Sequence, residues 1–184
     1  MKRDEPYEPS TKSKSPPTGL SFRLVERRDR QAVAVLMAER NPHRAFADVL
    51  SGTDRELALV ESDSNYRVYV TELNNEVVGF CRFYHSSGLP KEKCIHPAPS
   101  GWYAMGIMVN PKFRRQGIAE FLSAKRIAVL REMRVKEVYS LVDEKNLTSQ
   151  RMHQKFGFQE VAQGAGFLHI TFEAGTGRLF RLTI

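Results

Sequence analysis

Only two cysteines, Cys81 and Cys94, occur in 184 residues, and neither belongs to a CxxC pair or has histidines at zinc-ligand spacing. That argues against a disulfide framework and a structural metal, and fits a reducing compartment. Long apolar runs are also missing. The longest clean one, AVAVLMA at Ala32 to Ala38, is far short of the roughly 20 residues that span a bilayer, and the first thirty residues hold no apolar segment of a secretion signal. The reading is a cytoplasmic protein without membrane contact. No internal repeat, helix-turn-helix or RNP-like aromatic pattern occurs, and the basic residues are scattered, which argues against nucleic-acid binding.

What the chain does hold is positive charge: 28 Lys and Arg against 21 Asp and Glu, a formal +7, with a pI near 9.6. This balance favours an anionic or phosphorylated ligand. The length suits one domain with a real core. Met1 to Gly19, MKRDEPYEPSTKSKSPPTG, has almost nothing to bury and reads as a disordered tail. The domain then covers residues 20–184.

Along that domain, LSFRLVE reads as a short strand, and Asp29 to Arg40 as a helix stopped by Asn41-Pro42. A less regular helix covers His43 to about Glu61. YRVYVTEL, the turn Asn74-Asn75 and EVVGFCRFY form a hairpin, and loop signals fill His85 to Ser100. WYAMGIMV reads as a central strand buried on both faces. A helix from about Gly117 to Arg134, the strand EVYSLV, a helix from Leu147 to Phe156, and the strands FQEVA, FLHITF and GRLFRLTI complete the chain. The alternation implies an α/β fold, a mixed sheet with helices on both faces.

NPKFRRQGIAEFL, Asn110 to Leu122, stacks two arginines on a helix start that is already positive. A bound anion resolves this: the amides from Arg115 through Ala119 can converge on phosphate oxygens, Gly117 lets backbone approach closely, and Arg114 and Arg115 neutralise the rest. Downstream lies NLTSQRMHQKFGF, Asn146 to Phe158.

With these two motifs on this strand and helix order, the chain resembles the GCN5-related N-acetyltransferase (GNAT) superfamily over about residues 20–184. The resemblance implies one domain with a mostly antiparallel sheet of about six to seven strands and about four helices. It implies acetyl-CoA as cosubstrate. By the same resemblance, Ile107, Met108 and Val109 present main chain to the pantetheine arm and acetyl carbonyl, and Arg114, Arg115, Gln116, Gly117, Ile118, Ala119 and Glu120 form the pyrophosphate loop. Asn146 contacts the coenzyme, and His153 stands where most members carry the tyrosine that protonates the departing thiolate. Imidazolium near its ordinary pKa of about 6.5 can serve as that acid; a solvated residue on an amphipathic helix is the alternative.

The general base stays open. Leu141 stands where some relatives carry a carboxylate, against the branch that acetylates ribosomal-protein N-termini; Asp143, Glu144, Glu72, Tyr84 and His85 are nearby candidates. Trp102 and Tyr103 are acceptor-pocket residues or packing, Cys81 a buried hydrophobe, and Lys125 and Arg126 part of a solvated basic face or of the anion site. The function implied is direct acetyl transfer to a primary amine of a small molecule or peptide. The competing reading is a non-catalytic acyl-CoA binding module, and a homodimer is left open. Asp48, Asp54, Glu56, Glu61 and Asp63 could form a local acidic patch for a polycationic acceptor.

Overall fold

The computed structural model describes residues 15–172 and 175–184; most of the expected tail lies outside the described residues. Strand β1 (Arg23–Leu24) is followed by helices α1 (Arg30–Arg40) and α2 (Phe46–Ser62). Helix α1 ends where Asn41 Nδ2 donates to the Met37 carbonyl at 2.8 Å, just before the proline that cannot continue the helix. Strands β2 (Tyr66–Leu73) and β3 (Glu76–His85) form the hairpin. Its turn places Asn74 at φ 52° and Asn75 at φ 64°, the paired left-handed geometry that matches strand twist and that asparagine tolerates.

Next come β4 (Trp102–Val109), α3 (Ile118–Glu132), β5 (Glu137–Asp143), α4 (Leu147–Lys155) and β6 (Gln159–Gly164). The short β7 (Gly166–Phe167) and β8 (Ile170–Thr171) precede β9 (Gly177–Thr183). Seven strands make one sheet in the order β1-β2-β3-β4-β5-β9-β6, antiparallel throughout except for β4 with β5. The mixed sheet and four α-helices agree with the expected fold class.

Helices α1 and α2 cover one face through Val33, Leu36 and Leu57 against Val68, Val70 and Phe80. Helix α3 covers the other, Ile118 and Leu122 meeting Val78 and Cys81, while Ile127 and Leu130 join Phe83, Val138 and Phe180. Fully burying one such leucine stabilises by about 1.5–3 kcal/mol.

Two expectations needed correction. Phe167 to Phe172 is not one strand of the main sheet: Leu168 takes φ 53° and the segment folds into the separate β7-β8 pair, packed beside Tyr84 and Tyr103. Strand β4 is not buried throughout; only Tyr103 and Ala104 are, the rest being half-buried. The cause is the topology. Strand β4 pairs with β3 along its whole length but with β5 only at Trp102↔Val138 and Tyr103↔Tyr139, so its second half has lost its neighbour.

Candidate active site

The gap between β4 and β5 opens at a defined vertex, where the Ser140 hydroxyl donates to the Ala104 carbonyl at 2.9 Å. Beyond it the β3-β4 register shifts, Cys81 pairing with Ile107 and Arg82 with Met105, which leaves Gly106 as an extra residue at φ 38°. A left-handed bulge residue is most easily glycine. Asn110 N–H donates to the Val78 carbonyl at 2.8 Å. Strand alternation then turns the N–H and C=O of Met108 to β3 and those of Ile107 and Val109 into the gap.

At the end of β4, Asn110 Oδ1 accepts from Lys112 N–H at 3.1 Å and starts a short turn over Pro111–Phe113. Arg115 at φ 64° and Gly117 at φ 78° flank Gln116 in left-handed geometry, an arrangement that gathers successive amides into an anion-binding concavity. The N-cap of α3 is Gly117, which has no side chain to cap with, and Phe121 N–H to the Gly117 carbonyl at 2.9 Å is its first turn's bond; Ile118 and Ala119 precede it, at the positive end. Arg114 and Arg115 are exposed, and Arg114 Nε reaches the Val109 carbonyl at 3.2 Å. Gln116 Nε2 donates to the Lys112 carbonyl at 3.3 Å. Glu120 pairs with Lys155 at 2.7 Å and ties α3 to α4.

Asn146 is the N-cap of α4, its Oδ1 accepting from Ser149 N–H at 3.0 Å. Two turns on from that cap, His153 is enclosed, its ring at 4.9 Å from Phe158 and stacked at 5.7 Å on Phe180. Its Nδ1 lies 2.7 Å from the Ser149 carbonyl; a carbonyl only accepts, so the proton is on Nδ1. Burial lowers the ring's pKa from 6.5 to about 4, with Arg126's charge adding to it against the Ser149 bond. The ring is neutral at physiological pH, and its Nε2 is buried without a hydrogen-bond partner among the described residues.

Arg126 belongs to the core and not to a solvated face, being only 4% exposed. Its Nη1 donates to the Met105 carbonyl at 3.2 Å and the Arg82 carbonyl at 3.4 Å, both at the bulge. Desolvation lowers its pKa, and its Nε has no hydrogen-bond partner among the described residues. The sequence held a signal for it: Leu122, Arg126 and Leu130 recur every four residues on the buried stripe.

The other candidates are spread out. Glu72 pairs with Arg23 and accepts from Ser21, Asp143 Oδ1 takes Lys145 N–H at 2.8 Å, and His85 Nδ1 sits 2.7 Å from Ser87 Oγ. Tyr103 donates to the Pro99 carbonyl at 2.7 Å and stacks on Tyr84, whose own hydroxyl is buried without a partner among the described residues. Trp102 packs edge-on to Phe83. Burial raises the Cys81 thiol to about 11, so it is no nucleophile. Of the five acids that could form an acidic patch, three pair with arginines, Asp54 with Arg30 at 2.5 Å, Glu61 with Arg27 at 2.6 Å and Glu56 with Arg82 at 2.5 Å, while Asp48 is exposed.

Residues 22–158 match the Acetyltransferase (GNAT) family. The chain belongs to this family. Acetyl transfer with acetyl-CoA as cosubstrate is the family's chemistry, and membership leaves the acceptor unspecified. No curated protein sequence matches the chain. Among solved structures, the protein yncA from Salmonella typhimurium, solved with its cofactor acetyl-CoA, is 19% identical with TM-score 0.67, covering 90% of this chain and 94% of its own. A ribosomal-protein-alanine N-acetyltransferase from Brucella melitensis is 18% identical with TM-score 0.70, covering 89% and 99%. Spermidine N-acetyltransferase from Vibrio cholerae, in complex with CoA and spermine, is 17% identical with TM-score 0.66, covering 91% and 96%. At these identities the likeness concerns the GNAT fold alone.

The residues present fit an acetyl-CoA ligand. The gap offers strand amides, the α3 start offers a positive terminus whose N-cap is glycine, and Arg126 Nε and His153 Nε2 are buried polar atoms with no hydrogen-bond partner among the described residues. Among the described residues no helix is long and apolar enough to cross a membrane.

Proposed function

We propose that the protein acetylates a primary amine of a small molecule or peptide by direct transfer in a ternary complex. The observation that carries this is the β4-β5 gap leading straight to the glycine-started α3. Bound acetyl-CoA supplies the activated acetyl thioester. Arg114, Arg115 and the amides of Gln116 through Glu120 hold the pyrophosphate, with the helix dipole adding its partial charge. Ile107 and Val109 offer main-chain groups to the pantetheine arm, and the Ile107 N–H stabilises the negative charge that develops on the acetyl oxygen. Met108 anchors the strand between them through β3, and Asn146 fixes α4 beside the coenzyme.

His153 is proposed as the group that protonates the departing sulfur. Because its resting ring carries no proton on Nε2, it must first accept one there, from the attacking amine, and then pass it on. The same proton leaves nitrogen, visits Nε2 and ends on sulfur, so the step balances. The depressed pKa that makes Nε2 a weak base makes the protonated ring a strong acid toward a thiolate.

Calorimetry with acetyl-CoA, followed by free-thiol release over a panel of amines, tests the reading. Gly117→Asp is expected to abolish coenzyme binding, since φ 78° strains any side chain and a carboxylate repels the pyrophosphate. A variant that still binds coenzyme A normally would refute the loop assignment. Tight binding with no turnover on any amine would favour a non-catalytic acyl-CoA module.

A further inference from the structure

Arg40 closes α1 and Arg82 lies midway along β3, yet both guanidiniums converge on the Gly106 bulge. A Cβ at Gly106 would lie 3.6 Å from Arg82 Nε and 3.7 Å from Arg40 Nη1. One carboxylate answers these two cations. Glu56 Oε1 lies 2.5 Å from Arg82 Nη1 and accepts the Tyr66 hydroxyl at 2.6 Å. Arg82 Nη2 points at the Met37 sulfur at 2.9 Å, and its Nε is buried without a partner among the described residues. Arg40 has no ion pair or hydrogen bond among the described residues and is exposed by area. Its pKa is nevertheless lowered, first by desolvation and then by Arg82's charge.

On this face of the sheet, two guanidiniums against one carboxylate leave a net single positive charge at the point where β4 parts from β5. Like charges held this close repel, and an anion between them would relieve both the repulsion and the unpaired donor. The position is also next to the reacting centre. Gly106 immediately precedes Ile107, whose amide faces the gap. Two residues from Arg82 on the same strand face stands Tyr84, with its unpartnered hydroxyl.

We infer that Arg40 and Arg82 at the Gly106 bulge seat a carboxylate carried by the acceptor, so that the amine substrate is an amino acid or a peptide-like molecule. This rests on the acetyltransferase reading above. A single carboxylate matches the single excess charge, and its planar pair of oxygens matches guanidinium geometry. Polyamines and other polycations are disfavoured by the same charge. The two cations also favour the neutral amine over the ammonium, which is the form that attacks.

The test uses the full chain, acetyl-CoA and matched acceptor pairs that differ only in the carboxylate: phenylalanine with 2-phenylethylamine, lysine with cadaverine, and glycylglycine with its amide. The carboxylate-bearing member of at least one pair is expected to show kcat/KM higher by about tenfold or more, the size of one charge-assisted contact. Arg40→Ala should remove most of that advantage through KM, Arg40→Lys should keep part of it, and Arg40→Glu should reverse it. Coenzyme affinity should stay unchanged in all three. Equal rates for both members of every pair, an Arg40→Ala loss that falls equally on both, or turnover of none despite bound coenzyme would each overturn the inference. Failure to bind acetyl-CoA at all, measured before any amine is added, would strike the acetyltransferase reading instead.

Discussion

His153 shows how far a residue's chemistry depends on what surrounds it. Its place seven residues after Asn146 is visible in the motif, but its protonation state is set by Phe158, Phe180 and the Ser149 carbonyl. Because the folded ring titrates near 4 and not near 6.5, the unfolded chain binds a proton between those values that the folded chain does not. The stability this residue contributes is whole above pH 6.5 and is lost as pH falls to about 4, an effect on the order of 3 kcal/mol. His153→Phe keeps the packing and deletes the titration. Urea unfolding should therefore show a smaller loss for the variant than for the parent between about pH 7 and about pH 4.5, and identical losses would contradict a neutral buried ring. In the parent, the rate of acetyl transfer should show no limb near 6.5 from this residue.

At the level of elements, the ends of α3 and α4 matter more than their lengths. Asn146→Ala removes the α4 cap and should cost about 1 kcal/mol, lowering the unfolding midpoint by roughly 2–4 °C for a chain of this size. Asn146→Ser retains a capping oxygen. If it unfolds like the parent but shows a raised KM for acetyl-CoA, the side chain touches the coenzyme as well as the helix; an unchanged KM leaves it a cap alone. Local periodicity made these elements legible: the α3 stripe, the Asn74-Asn75 turn and the glycine before Ile118 each carry a local physical cause. Phe167 to Phe172 misled because its alternation resembles a strand while Leu168 turns left-handed, and a side-chain pattern does not reveal which sheet a segment joins. Arg40, Glu56, Tyr66 and Arg82 went unread as a group because they come from four elements, and nothing local ties them together.

Across the whole molecule, two wings of sheet share little strand pairing. One runs from β1 to β4, the other contains β5, β9 and β6, and they meet at two residue pairs, the Ser140 bond and the α3 core. Coenzyme A at about a hundred times its dissociation constant should add about 2.7 kcal/mol, or roughly 5–10 °C in the unfolding midpoint. Hydrogen exchange locates the effect: Ile107 and Val109 amides should gain protection when coenzyme A binds, while Asn110, already bonded to Val78, should change little. Equal protection of all three amides in the free protein would mean that the gap is not open to solvent. Around Gly106 the sheet is a partition one peptide thick, with Arg40 and Arg82 on one side and the dry Arg126 bonded to its carbonyls from the other. The bulge therefore has guanidiniums on both of its faces, with Glu56 answering Arg82 on one of them. Negative charge arising beside it feels three guanidiniums at once through the field they share, with none of them having to move.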